Sequence, residues 1–358
     1  MLKKLDIYII RKFLGTFFLS IALILGITIM IDLTEKMDKF FDNHAPVKAI
    51  VFDYYLNLIP YFGNMFSPLF TFIAVIFFTS KMAGNSEIIA IQSSGVSYKR
   101  LLRPYFISAG IIAIATFFLS GYVIPTANKT RLDFENQYIK KFRHENVNNV
   151  QLEVQKGIIL YIERFDNIDN NGYNISMERF NDKKLVSRMT ADKIHWDTLN
   201  HWTVENYLIR EFDGMKEKIT KGIAIDTTIA VQPSDFYITA FESPQMKNNE
   251  LQTYLKRQRE RGVGNIKAFE DEYYKRFSMP FAAFILTLIG VSLASRKVRG
   301  GTGLHLGVGL ALSFSYITFS TISTSFSVNG SMSPLLAAWL PNITFSLIAW
   351  YLYIKAPK

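Results

Sequence analysis

Six long apolar runs, separated by charged loops, constrain this chain more than any other feature. They lie at roughly Ile9–Ile31, Tyr54–Ser80, Pro104–Ile124, Phe277–Ala294, Leu304–Phe326 and Pro334–Ile354. A helix needs about 20 apolar residues to cross the hydrocarbon of a bilayer, and each run is near that length and, past Arg11 and Lys12 at the start of the first, holds no Asp, Glu, Lys or Arg. Buried helices of a soluble core are shorter and rarely this free of charge. The second run is long enough to tilt, and Pro60 and Pro68 are placed to bend it. The apolar stretch after Lys3, Lys4, Arg11 and Lys12 is too long for a cleaved signal and reads as a signal anchor.

The net charge of +10 raises the question of nucleic acid, and its distribution answers against it. Residues 1–12, 81–103, 295–303 and 355–358 form one set of alternate loops and ends. Their bases are Lys3, Lys4, Arg11, Lys12, Lys81, Lys99, Arg100, Arg103, Arg296, Lys297, Arg299, Lys355 and Lys358, and their only acids are Asp6 and Glu87. The surplus of these short segments exceeds the charge of the whole chain, so the remainder is close to neutral. A basic excess confined to one side is the positive-inside pattern, which puts both termini in the cytoplasm and requires an even number of spans.

Three spans therefore precede, and three follow, one large external segment. The expected division is residues 1–124, 125–276 and 277–358. The middle segment alternates apolar and polar residues over Gly157–Arg164, Tyr173–Phe180 and Ile219–Ile229, with turn clusters at Asp166–Gly172 and Glu211–Gly214. Strands at that spacing predict an all-β sandwich, jelly roll or open barrel. Helices are expected to flank it at Asn128–Arg143 and Asn248–Arg276, the latter interrupted by Gly262 and Gly264.

The spans offer no intramembrane carboxylate or base for proton or ion coupling, and His305 stands at the start of the fifth span. With no cysteine there is no thiolate chemistry. Intramembrane catalysis lacks an acid–base pair and metal ligands. No G-x-x-x-x-G-K-[ST] loop is present, and Gly300-Gly-Thr-Gly303 reads as a tight turn, so nucleotide hydrolysis would belong to a partner. The fifth span is rich in small and hydroxylic residues, among them Gly307, Gly309, Ser313 and Ser320. They suit close helix packing, or an interface that opens and reseals.

The loop between the second and third spans contains Asn85-Ser-Glu-Ile-Ile-Ala-Ile-Gln-Ser-Ser-Gly95. Asn85 or Ser86 suits a helix N-cap, Glu87 its first turn and Gly95 its end, with Ile88, Ile91 and Gln92 along one face. Glu87 is the only acid of a basic loop and would be a natural partner for an arginine across an interface.

Here the chain resembles the lipopolysaccharide-export permeases of the LptF/LptG family. The resemblance rests on Leu5-Asp-Ile-Tyr-Ile9, Ser86-Glu-Ile-Ile-Ala-Ile-Gln-Ser-Ser-Gly95, Ile124-Pro125, Leu160-Tyr-Ile-Glu-Arg164, Arg276-Phe-Ser-Met-Pro280, the Arg296–Gly303 loop and Ala338-Trp-Leu-Pro-Asn342. It covers nearly the full length, and the start near Leu5 with the Trp-Leu-Pro ending leans to the LptG-like member. It implies a polytopic α-helical membrane protein of six transmembrane helices, 3 + 3, with an inserted periplasmic jelly roll.

The resemblance further implies a heterodimer with a companion permease of the same family, driven by an LptB-like ABC ATPase dimer that binds ATP and Mg. No cofactor would sit on this chain. LptC-like and LptA-like jelly-roll proteins would receive lipopolysaccharide taken from the outer leaflet of the inner membrane. Coupling to the ATPase would fall on Ser86, Glu87, Ile88, Ile91, Gln92 and Gly95. A lateral gate would involve Ile24, Ile27 and Ile31 of the first span and Tyr316, Phe319 and Ser320 of the fifth. Lys36 and Lys39 would meet lipid phosphates, though Asp32, Glu35 and Asp38 dilute their charge. Leu160, Ile162, Ile223 and Ile225 would line an acyl groove, or simply fill the β core. ATPase closure would move the Ser86–Gly95 helix, narrow the cavity and push the amphiphile into the β domain. An ATPase-coupled mechanotransducer, or a membrane scaffold whose external domain binds a protein or glycan, is the alternative.

Overall fold

The computed structural model describes residues 3–139, 147–155, 157–166, 169–181, 184–198, 200–214, 216–229, 231–233, 240–260, 266–295 and 301–356. The chain divides into two compact units: Met1–Ile139 with Pro244–Asn248 and Lys267–Lys358, and Lys140–Ser243 with Asn249–Ile266.

The first unit is helical. Among the described residues, five helices are long and apolar enough to cross a membrane, or six if one bent pair counts as a single span. Helix α1, Lys4–Asp42, runs without a break for 39 residues, about 58 Å at 1.5 Å per residue. It outlasts the apolar run because its last turns are polar and internally paired, as in Asp32–Lys36 at 2.7 Å.

The second apolar run is not one helix. A π-helical stretch, Ile50–Tyr55, leads into α2, Leu56–Met65, and the chain breaks at Phe66 before α3, Ser67–Gly84. Pro68 in the first turn of α3 explains the break: it has no N–H to extend α2, but none is needed at a helix start. After the short helix α4, Glu87–Ser93, comes α5, Tyr98–Phe118. It passes through a π stretch, Leu119–Val123, into α6, Ile124–Phe134, and on to Ile139. The wide turn falls just before Pro125, where a normal i→i−4 bond is missing. The helix expected beyond the third span is thus present to Ile139, and residues 140–143 lie outside the described set.

Helices α7, Asn248–Glu260, and α8, Lys267–Ser278, match the expected interrupted helix, with Gly262 and Gly264 outside the described residues. The pair α8 and α9, Phe281–Ala294, bends by 50° at Met279-Pro280. Helix α10 is Gly301–Val328 and α11 is Pro334–Lys355. Gly301–Gly303, expected as a tight turn, instead open α10.

Helix α3 is the axis of this unit. Phe72, Ala74, Val75 and Ile76 are sealed from solvent. Two glycines make that possible: a Cβ on Gly290 of α9 would sit 2.7 Å from Val75, and one on Gly309 of α10 would run into Ile76. Small residues at these two sites leave room for the Val75 and Ile76 side chains where α9 and α10 meet α3.

The second unit is a six-stranded antiparallel meander, with strands ordered in space as in sequence. The strands are β1 Val147–Gln155, β2 Ile158–Asp166, β3 Asn171–Asn181, β4 Lys184–Thr198, β5 His201–Asp213 and β6 Lys216–Thr228. One face is apolar and closes on Phe165, Ile194, Trp202 and Val204, a core compatible with a jelly roll. Trp202 Nε1 donates to the Val231 carbonyl at 3.0 Å, so the buried indole keeps a partner.

The sheet has a fault in its pleat. Ile162, Ile175, Ala191, Tyr207 and Gly222 pair across β2 to β6, and so do Phe165, Gly172, Ile194, Val204 and Ile225. Both rows point largely inward, although on each strand two residues lie between them. A regular strand alternates faces at every residue, so each strand changes phase at the same level. Asn174 of β3 and Asn206 of β5 take positive φ there, 51° and 53°, and asparagine tolerates this region better than other non-glycine residues.

Candidate functional site

Three regions carry the residues singled out in the sequence. The first is the loop around α4. Ser86 precedes the helix, but at φ 61° it is left-handed and its side chain does not cap the helix. The reason is continuity: its N–H bonds to the Ala83 carbonyl at 3.0 Å, so Ser86 is the turn that ends α3 before α4 starts. Gly95, at φ 85°, ends α4 as its sequence predicts, with its N–H on the Gln92 carbonyl.

Ile88 and Ile91 share a face, and that face is turned onto the helix's own chain. Ile88 is buried in a cluster with Ile9, Phe13 and Tyr98, and Ile91 packs against it. These two residues seat α4, while Ile89 is exposed on another side and Gln92 is half-buried. Glu87 is half-buried as well; it accepts from Asn85 Nδ2 at 3.0 Å and from Tyr8 OH at 3.5 Å.

Sequence reasoning did not single out Asp6. It is 1% exposed, and its two oxygens take Arg100 Nη1 and Nη2 at 2.6 and 2.7 Å. The Lys3 N–H adds a third bond at 2.8 Å. The available signal was the charge count: only two acids stand among the bases of these segments, and one of them is Asp6.

The second region is α1 with α10. Asp6, Ile9, Phe13 and Phe17 are buried at one end of α1 and Phe40 at the other, with none buried between. Ile27 and Ile31 are exposed; Ile24 packs partly against the core. On α10, Tyr316 is buried, and Phe319 packs beside it. Tyr316 OH donates to Asn342 Oδ1 at 2.9 Å, and Asn342 Nδ2 donates to the Ser278 carbonyl at 2.7 Å. The bend at Pro280 explains this relay. The Ala282 N–H has shifted to the Met279 carbonyl, which orphans the Ser278 carbonyl until Asn342 supplies a donor. Tyr316 and Ser320 also line a cavity of about 310 Å³ with Asn64, Ile124, Lys275 and Met279, and the three α1 residues are not in its lining.

At the far end of α1, Lys36 is held by Asp32 and by the Tyr54 hydroxyl, inside a cluster of Phe40, Tyr54 and Phe134. Lys39 is exposed.

The third region is the β interior. Leu160 and Ile162 are buried in the core and Ile225 packs on it. Ile223 corrects the expectation that it faces inward with Ile225: it is 84% exposed, because positions 223 and 224 fall on the pleat fault and both turn outward. Beyond Leu160 the apolar face stays open. A cavity of about 680 Å³ is lined by Ile158, Met177, Met189, Ile209 and Phe212, with Arg179, Lys216 and Lys218 among the charged groups around it. It lies at the end of the sheet opposite that where β1 begins and β6 ends.

The lipopolysaccharide export system permease LptF/LptG family matches residues 7–355. The chain belongs to that family. Relatives include the lipopolysaccharide export system permease protein LptG of Haemophilus influenzae, 18% identical over 366 aligned residues and 98% of each chain. The LptG protein of Escherichia coli K12 is 18% identical over 364 residues, again 98% of each chain. An uncharacterized protein of Rickettsia prowazekii is 26% identical over 151 residues, 41% of each. As an LptF/LptG permease with several apolar helices, this chain is a multi-pass inner-membrane protein and a transport subunit.

Proposed function

We propose that this chain is the LptG-like permease subunit of an ATP-driven lipopolysaccharide exporter, paired with a companion permease and an LptB-like ATPase dimer. Both termini and α4 face the cytoplasm, and the β unit lies in the periplasm. The exposed side of α4, with Glu87 and Ile89, meets the ATPase; Ile88 and Ile91 transmit its movement by being packed on their own chain. The exposed middle of α1, including Ile27 and Ile31, forms one side of the lateral gate, and the companion permease supplies the facing helix. Lipid drawn from the outer leaflet passes to the apolar β interior, and from there to LptC-like and LptA-like jelly rolls. Lys39 meets lipid phosphate; Lys36 chiefly fixes the end of α1.

The observation that carries this reading is the open apolar cavity of the β interior in a chain that matches the permease family end to end. Acyl chains need such a lining throughout their path, since each CH₂ left in water costs about 0.8 kcal/mol. The charged rim is mixed, with Glu211, Asp213 and Glu217 beside Arg179, Lys216 and Lys218, so the apolar lining and not the charge carries the argument. The test is reconstitution of the full complex in proteoliposomes loaded with lipopolysaccharide. Release to a soluble jelly-roll acceptor is expected only with ATP. ATP hydrolysis without release would instead support a mechanotransducer, and assembly without hydrolysis or release a scaffold.

A further inference from the structure

The first turns of α1 grip both flanks of α4. Tyr8 reaches Glu87 at the start of α4, and Asp6 holds Arg100, five residues beyond Gly95, through both carboxylate oxygens. Between these two contacts Ile88 packs in the same cluster as Ile9 and Phe13. The α4 loop therefore has few ways to move without the start of α1.

What α1 does with such a movement follows from its build. It contains no proline and no break over its 39 residues, so it bends little and acts as a rod. From Phe18 to Lys39 it has no fully buried residue: Ile21 and Ile24 pack partly on the first cluster, Ile29 and Leu33 partly on the Tyr54–Phe134 cluster, and Phe40 is its next buried seat. A rod seated most firmly near its two ends, with Ile27, Met30 and Ile31 exposed between them, converts a displacement of one end into tilt of its middle.

We propose that the Asp6–Arg100 pair is the joint through which movement of the α4 loop reaches α1. Both residues are positioning residues for transport, and the assignment rests on the function proposed above. Asp6 is nearly sealed from water, so its charge requires Arg100: removing Arg100 leaves an uncompensated buried carboxylate, removing Asp6 frees a partly exposed guanidinium, and exchanging the two restores a pair. A pair that only fastened the fold would affect yield and melting temperature and leave the movement of assembled complexes intact.

The experiment uses the full chain with its companion and ATPase in nanodiscs. The chain has no native cysteine, so Met30→Cys on α1 and Leu347→Cys on α11 carry spin labels specifically when the partners are made cysteine-free. Both sites are exposed. Distances are measured without nucleotide and with ATP trapped by vanadate. The expected result is a nucleotide-dependent shift in the otherwise unaltered chain, and a shifted population at least threefold smaller in Asp6→Asn and in Arg100→Gln. ATP hydrolysis should stay within twofold in both. The exchanged variant, Asp6→Arg with Arg100→Asp, should regain more than half of the shift. A full-size shift in either single variant, no shift in the parent, or an assembled exchange variant that stays at single-variant level would overturn the proposal. Lipid release is scored in parallel: its absence with the shift intact contradicts the transport reading and leaves the joint standing.

Discussion

Asn342 shows how a single side chain can complete a membrane fold. It follows Pro341 in α11, is buried, and donates to the Ser278 carbonyl, which the bend in α8–α9 leaves without its helical partner. Its own carbonyl oxygen takes the Tyr316 hydroxyl. Asn342→Leu takes the side-chain partner from both of these groups. A loss of about 1–3 kcal/mol is expected, read as a lower melting temperature of the detergent-purified chain. Tyr316→Phe removes only one bond and should cost about 1 kcal/mol or less. Equal melting of both variants and the parent would contradict the relay. Tyr316 was legible in the sequence as a fifth-span residue and Asn342 as part of a Trp-Leu-Pro-Asn stretch. Their link was not, because it depends on where a broken helix exposes a carbonyl.

At the scale of elements, α4 and the pleat fault divide what patterning can and cannot reveal. The sequence places α4, its Gly95 terminus and the Ile88–Ile91 face correctly. It does not say whether that face looks toward a partner or toward its own chain, since apolar periodicity is the same in both cases. The structure settles this for Ile88, and the consequence can be measured. Ile89→Arg should reduce co-purification of the ATPase several-fold while the permease stays monodisperse and melts normally. Ile88→Arg buries an unpaired charge and should lower the melting temperature of the permease itself. The reverse pattern would place the partner on the opposite face.

Strands β2, β3 and β6 are likewise legible as alternating runs, but β1, β4 and β5 were not singled out and the register of inward positions is not legible. Simple alternation assigns Ile223 and Ile225 to one face, and the phase change at Asn174 and Asn206 moves Ile223 out. A β-branched residue is far less tolerant of positive φ than asparagine. Asn206→Val should therefore destabilise the unit by about 1–2 kcal/mol, and Asn206→Gly should be near neutral, both followed by fluorescence of Trp202 on the same strand. If valine were tolerated as well as glycine, the left-handed position would not matter to the fold.

For the whole molecule, the six apolar runs and the basic segments made the membrane class legible at once, because bilayer thickness and charge asymmetry act on sequence directly. The second and fourth runs turn out broken at Phe66 and Pro280, which shifts the helical register that a straight reading assumes. The central claim is that lipid enters the interior of the β unit. Its most direct test is site-specific photo-crosslinking in cells, with the crosslinker at Met177 or Ile209 inside the cavity and at Ile223 on the outer face as the control. ATP-dependent lipopolysaccharide adducts at Met177 and Ile209, about tenfold stronger than at Ile223, are the predicted result. Equal adducts at all three positions, or capture of protein alone at the two interior ones, would contradict it.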